Sequence, residues 1–426
     1  MTESAPSGLD YFGFASKEDF LAQTAAVWNP DKVRFWREQG TELVIDRRDG
    51  YYVYDTSGKR LIDVHINGGT FNLGHRNPEL TEALEFAMRM VDMGNHHFPA
   101  LARTALANAL LATCHEGMSK VVYGASGGEA NDIAIKSARY ASKRKKIVSI
   151  FRAYHGNTGL SLGATDERFS ERFLSGRPDE FVHVRFNDIA AMEEALASRE
   201  VAAVIMETIP ATYGFPMPLP GYLAEVKRLC EEYGSIYIAD EVQTGLMRTG
   251  EMWAIYGYGV EPDILVTAKG ISGGLYPLSA VVLNERCGQW LDEDGWGHIS
   301  TGAGSELGCV VGLKVLEITQ RPAVRAMVQA ASAHFAEGLG AIASSQPDWL
   351  IGLRQNGLVM GLEFNHPEGA KLVSRALYDN GVWAIFATFD TRVLQFKPGL
   401  LLSPDDCDDL LDRVAVSVAE AGERVS

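Results

Sequence analysis

A chain of 426 residues is long enough for a large core and two domains. With 39 basic against 55 acidic side chains its net charge is −16, which argues against a nucleic-acid partner and suits a cationic ligand. No apolar run is long enough to span a bilayer, and the five cysteines form no CxxC pair that would hold zinc or staple a secreted domain.

The opening stretch, MTESAPSGLDYFGF, lacks the basic and apolar regions of a signal peptide, so the chain reads as cytoplasmic, with reduced thiols. Residues 40–75 carry strand-like pieces such as 51-YYVYD, followed by the turn Thr56-Ser57-Gly58-Lys59. Short apolar runs come next, at 119-SKVVY, 147-IVSIF, 202-AAVIM, 235-SIYIA, 263-DILVT and 279-SAVVL. Helical patterns lie between several of them, including 128-GEANDIAIKSARYASKRKK and 222-YLAEVKRLCEEY. Strands with little polar content, alternating with helices, predict an α/β fold whose mostly parallel sheet is covered on both faces. The basic run Lys143-Arg144-Lys145-Lys146 closes a helix, where positive charge complements the dipole. The Pro-rich stretch 210-PATYGFPMPLPG-221 reads as a loop inside this unit. The pattern then changes: 357-GLVMGLEF, a helix, 393-VLQFK and a last helix. That helix starts at Ser403-Pro404-Asp405-Asp406, a capping serine, a proline at the first position and acids in the first turn. The expected organisation is an N-terminal segment (1–75) joining a small domain, a large domain (76–325) and a C-terminal small domain (326–426).

Ligands of parallel α/β sheets bind at the carboxyl ends of strands, and three groups fall there. The turn 124-GASGGEAN-131 follows a strand and opens a helix, presenting free N–H groups that suit a phosphate. It is neither GxGxxG nor a P-loop, and a plain strand-to-helix turn explains it equally well. Asp240 and Glu241 end an apolar strand, where an acid could hold a metal, fix a protonated ring nitrogen or cap a helix. No HExxH or Asp/His cluster supports the metal. Lys269 follows the run 264-ILVTA; a desolvated amine there is a nucleophile, although a lone strand-end lysine more often snorkels to the surface. An amine beside a phosphate site points to a Schiff base with a phosphorylated aldehyde.

Together these groups resemble the class III aminotransferases, a pyridoxal-phosphate family of fold type I, over about residues 35–415. The family's DEVQTGxGRTG reads here 240-DEVQTGLMRTG-250, and Lys269 lies 29 residues after Asp240, as the family's Schiff-base lysine does. LGHxHP reads 73-LGHRNP-78, NSGxEAN reads 125-ASGGEAN-131, and YHG stands at 154–156. The resemblance implies fold type I: a large domain with a mostly parallel, seven-stranded type of sheet under helices, and a smaller α+β domain from both chain ends. It implies that Lys269 holds pyridoxal 5′-phosphate and shuttles a proton, with the glycines behind it leaving room to swing. Asp240 would pair with the pyridine nitrogen and Gln243 with the phenolic oxygen. Val242 and Tyr154 would cover the ring faces, His155 would orient Tyr154 or the Asp240 side, and Ser126, Gly127 and Gly128 would bind the phosphate. Thr301, in 299-ISTGAGSELG-308, would complete the phosphate site of a neighbouring subunit in a homodimer, although Ser305-Glu306 replace the family's Asn-Pro.

The family's VLRFxPPL reads 393-VLQFKPGL-400, so Gln395 stands where an arginine binds an α-carboxylate. Losing that anchor shifts the expected donor to an ω-amine, diamine, amino sugar or amino alcohol, with a keto acid such as pyruvate or 2-oxoglutarate as acceptor. Lys397 reads as structural, and Arg392 is a candidate replacement anchor. Glu207, at the position of a family glutamate near cofactor and substrate, would accept from a cationic or hydroxylated substrate. The alternatives are other pyridoxal-phosphate chemistry (epimerase or racemase, aminomutase, phospho-lyase), a dinucleotide oxidoreductase, which leaves Lys269 unexplained, and an idle binding protein.

Overall fold

The computed structural model describes residues 7–425; residues 1–6 of the opening stretch and residue 426 lie outside it. Three short strands come first: β1 (Ile45–Asp49), β2 (Tyr52–Asp55) and β3 (Arg60–Asp63). Seven build the central sheet: β4 (Met118–Gly124), β5 (Lys146–Ile150), β6 (Phe181–Val184), β7 (Val201–Glu207), β8 (Ile236–Asp240), β9 (Ile264–Thr267) and β10 (Ser279–Asn284). The C-terminal part adds β11 (Leu350–Asn356), β12 (Val359–Phe364), β13 (Val382–Trp383), β14 (Ile385–Ala387) and β15 (Asp390–Phe396).

The central order is β4-β10-β9-β8-β7-β5-β6. Strands β5 to β9 pair parallel, and β10 is antiparallel to both β4 and β9, so the other six share one direction. The apolar runs predict six of the seven. The short edge strand β6, FVHV, escapes that reading because it is four residues long and its two middle positions, Val182 and His183, are not buried.

Period-two alternation builds the core. Val204, Met206, Tyr237, Ala239 and Leu265 face one side, with Leu223, Val226 and Leu229 of helix Tyr222–Tyr233. Ala203, Ile205, Ile236, Ile238 and Val266 face the other, with Ile133, Ala134 and Ala138 of helix Gly127–Ser142. Each large aliphatic side chain so buried contributes about 1.5–3 kcal/mol.

The chain ends meet in one sheet, β1-β2-β3-β13, where Val382 pairs with Ile62. A second small sheet runs β11-β12-β15-β14. Helix Pro404–Glu423 begins with a capping box between Ser403 and Asp406, at the predicted residues. No helix among the described residues is long and apolar enough to cross a membrane.

Because six strands of the central sheet run one way, their carboxyl ends share an edge. The turn after β4, the Tyr154 turn after β5, Glu207, Asp240 and the Lys269 turn after β9 all lie along it.

Candidate active site

A cavity of about 390 Å³ opens at this edge. Ser126, Gly127 and Gly128 line it from the start of helix Gly127–Ser142, and Tyr154 and His155 from the turn after β5. Glu207, Asp240, Val242, Gln243 and Lys269 complete the set that the sequence predicts to be together. Gln395 and Thr301 are not among the lining residues. A larger open cleft, about 1080 Å³, lies beside Lys227, Asp263 and Arg286 near the other edge and holds none of these groups.

Lys269 opens a short 3-10 turn, Lys269–Ser272, with φ +46, a strained conformation for a residue with a Cβ. Ser272 Oγ donates to its carbonyl at 2.6 Å. Burial holds the amine below its ordinary pKa, partly offset by the charges of Asp240 and Glu207. The room beside it comes from Gly68 (φ +69), where a Cβ would stand 3.2 Å from Lys269 Cε. The glycines behind the lysine serve packing instead: a Cβ on Gly274 would lie 2.2 Å from the Phe71 ring.

Two adjacent acids face opposite ways, as strand alternation dictates. Asp240 turns to the cavity. Asn131 Nδ2 donates to its Oδ2 at 2.9 Å, His155 Nδ1 lies 2.7 Å from the same oxygen, and the Val242 N–H donates to Oδ1 at 3.1 Å. Asn131 also donates to the His155 carbonyl at 2.7 Å, locking the group together. Of the two groups it is expected to orient, His155 thus stands in contact with Asp240. Asn131 stands inside the GEAN motif, yet nothing in its own position singles it out. Glu241 turns away, 1% exposed, and accepts from the Thr208 and Thr244 hydroxyls and the Ala254 and Ile255 N–H groups. Burial pushes its pKa up to about 7 against these donors.

At the helix start, the Glu129 N–H donates to the capping Ser126 Oγ at 3.2 Å, which leaves the first N–H groups of the helix without helical partners. The backbone is crowded there: a Cβ on Gly156 would lie 2.5 Å from Gly128 Cα. Asn157 and Thr158, which carry no signal in the sequence, line the same corner.

Glu207 pairs with Asp240 across β7 and β8. Its carboxylate accepts the Tyr154 N–H at 3.0 Å and the Ala211 N–H at 3.1 Å. Burial raises its pKa, and the neighbouring Asp240 charge adds to this. Gln395 lies behind this wall, 5% exposed: its Nε2 donates to the Ala211 carbonyl at 3.0 Å and its Oε1 accepts from Lys397 Nζ at 2.6 Å. Arg392 points away on β15, exposed and bound to Asp390 and Glu363, so it supplies no replacement anchor.

The family described as Aminotransferase class-III matches residues 36–418. The chain belongs to the class III aminotransferases. Class III aminotransferases use pyridoxal phosphate, and that cofactor comes with the family. Among this aminotransferase's relatives, an uncharacterized aminotransferase of Archaeoglobus fulgidus is 40% identical over 416 residues, 98% of this chain and 97% of that protein. A putrescine aminotransferase of Pectobacterium atrosepticum is 31% identical over 387 residues, 88% and 80% of the two chains. The ornithine aminotransferase structure of Toxoplasma gondii superposes with a TM-score of 0.89 at 25% identity, covering 97% of this chain and 98% of that one. This aminotransferase thus has fold type I.

Proposed function

We propose that this aminotransferase moves the amino group of a primary amine without an α-carboxylate to a keto acid such as pyruvate or 2-oxoglutarate, in the cytoplasm. The donor is an ω-amine, diamine, amino sugar or amino alcohol. The observation that carries this reading is Gln395, whose amide is spent on Ala211 and Lys397 where an anchoring arginine is expected. The similarity to a putrescine aminotransferase supports a diamine.

The cavity's chemistry fits pyridoxal phosphate. Asp240 Oδ1 has a free lone pair beside its bond from Val242, suited to a protonated ring nitrogen. The N–H groups of Gly127 and Gly128, which have no partner among the described residues, suit its phosphate together with the Ser126 hydroxyl. When bound, the cofactor supplies an aldehyde that captures amines and a ring that withdraws electrons.

In this reading Lys269 would be the residue that holds the cofactor through its aldehyde. Freed by the substrate amine, its amine, which burial holds below its ordinary pKa, would carry the proton that the reaction moves. Asp240 would pair with the ring nitrogen and favour its protonated form, with His155 and Asn131 orienting Asp240. Tyr154 and Val242 would cover the ring faces and Gln243 would donate to the phenolic oxygen. Glu207 accepts from a second amine or hydroxyl of the substrate.

The same reading makes the enzyme a homodimer, with Thr301 completing the neighbour's phosphate site. Thr301 is exposed, beside exposed Trp296 and Ile299. Met93, Phe98 and Leu101 are exposed on the adjoining segment, tied to this one by Arg103 Nε donating to the Gly304 carbonyl at 2.7 Å. Such an apolar patch suits a second copy. Sedimentation checks it: a dimer at micromolar concentration is expected, and a monomer contradicts it.

The donor is tested by following the visible absorption of the cofactor-loaded protein as amines are added singly. Bleaching by diamines or amino sugars, with recovery on adding a keto acid, is expected. Bleaching by glutamate or alanine alone contradicts the proposed donor. Spectral change without a bleached form that a keto acid restores would favour epimerase or lyase chemistry.

A further inference from the structure

Lys397 has no task in the reading above, yet it is 1% exposed and lies behind the cavity, bonded to its lining residue Gln243. It follows β15, and its N–H donates to the Val64 carbonyl at 2.9 Å, which pins this segment to the N-terminal part of the chain. Its Nζ lies 5.6 Å from the Phe215 ring centroid. No salt bridge joins it to a carboxylate among the described residues, so it is not half of a buried ion pair. Burial, with Lys269 and Arg248 nearby, holds its pKa well below that of an ordinary lysine.

Its partners are two amides. Nζ donates to Gln395 Oε1 at 2.6 Å and to Gln243 Oε1 at 3.1 Å. The direction of this chain is fixed from one end. The Ala211 carbonyl can only accept, so Gln395 must turn its Nε2 there and its Oε1 to the lysine. An ammonium can only donate, and a neutral amine still has one N–H for each amide oxygen. Gln243 therefore shows Lys397 its oxygen. Its Nε2 has no acceptor among the described residues, and Gln243 lines the cavity.

We infer that Lys397 is a positioning residue: with Gln395 and the Ala211 carbonyl, it holds Gln243 with Nε2 turned into the cavity, ready to donate to the cofactor's phenolic oxygen. This inference rests on the cofactor placement proposed above. A glutamine amide is nearly symmetric in shape, and without Lys397 nothing decides which end faces the ring. The orientation has a chemical consequence. A donor on the phenolic oxygen competes for the charge that this oxygen otherwise shares with the protonated nitrogen linking Lys269 to the cofactor. The donor therefore makes that nitrogen easier to deprotonate.

The test is a pH titration of visible absorption in the cofactor-loaded protein, which reads the pKa of that linkage and not turnover. Lys397→Met, which fills the apolar space without a donor, should raise this pKa by about 1 unit. Gln243→Leu should raise it at least as much, and the double variant no further than Gln243→Leu alone. A shift in Gln243→Leu with none in Lys397→Met overturns the role of Lys397 and leaves the cofactor placement standing. No shift in either removes Gln243 from the phenolic oxygen and takes the inference with it. Should Lys397→Met not fold, a crystal structure of the unaltered cofactor-loaded enzyme decides. Gln243 bridging Lys397 Nζ and the phenolic oxygen is expected, and Gln243 turned away from Lys397 overturns the inference.

Discussion

On the side of the cavity that faces the cofactor in our reading, Asp240 is gripped by three donors from neighbouring turns: Asn131, His155 and the Val242 N–H. On the substrate side, Glu207 and Gln395 meet through Ala211, so β7's loop is tied to a strand 184 positions away. The first wall is assembled from strand ends of one parallel sheet, each carrying a short contiguous motif. The second joins two units of the fold, and its groups spend most of their hydrogen bonds on one another. One wall is set up for a fixed ligand, and the other is where a change of ligand leaves its mark.

The largest expected effect breaks the first wall outright. Lys269→Ala should slow amino transfer at least ~10³-fold, because both the covalent hold and the proton carrier are lost. Single-turnover kinetics with a diamine check this, and a smaller loss would move the proton transfer to another group. Asp240→Asn should cost about 10²-fold in the same step, with cofactor affinity falling less, since the ring nitrogen loses its counter-charge but not its place.

The second wall is sharpened by Glu207→Gln, expected to lower kcat/KM for diamines about 10-fold while leaving a plain monoamine within ~2-fold. Its pH profile carries a sign. The carboxylate form is the acceptor for a cation, and burial raises its pKa, so the diamine rate should climb as pH rises through that raised value. The climb should vanish in the Gln variant. The smallest effect lies outside both walls. Glu241→Gln puts an N–H₂ against two of the four donors and should cost about 1–3 kcal/mol of stability in urea unfolding, with the bound cofactor's spectrum unchanged.

The contrast between the walls also explains what the sequence makes legible. Apolar runs with little polar content report the buried parallel strands, and six of the seven central strands follow from them, but the half-exposed FVHV of β6 sends no such signal. The ten predicted residues that line the cavity, from Ser126 to Lys269, sit at or just after strand ends within motifs whose spacing is local. Asn131 lies inside such a motif, but its importance comes from touching Asp240, 109 residues on. The opposed directions of Asp240 and Glu241 follow from alternation once the register of β8 is known. Gln395 marks a departure from the family pattern, yet its bonds to Ala211 and Lys397 depend on how the C-terminal sheet docks. Gly68, the residue that leaves room for Lys269, comes from the N-terminal part, two hundred residues before the lysine it serves.

The central claim is that Lys269, and no other lysine, holds the cofactor. The direct measurement is to load the protein with pyridoxal phosphate, reduce it with borohydride, digest it and find the modified residue by mass spectrometry. The account predicts one stoichiometric adduct at Lys269, absent from Lys269→Ala. An adduct at Lys397, the buried lysine behind Gln243, or scattered substoichiometric labelling of surface lysines, would contradict it.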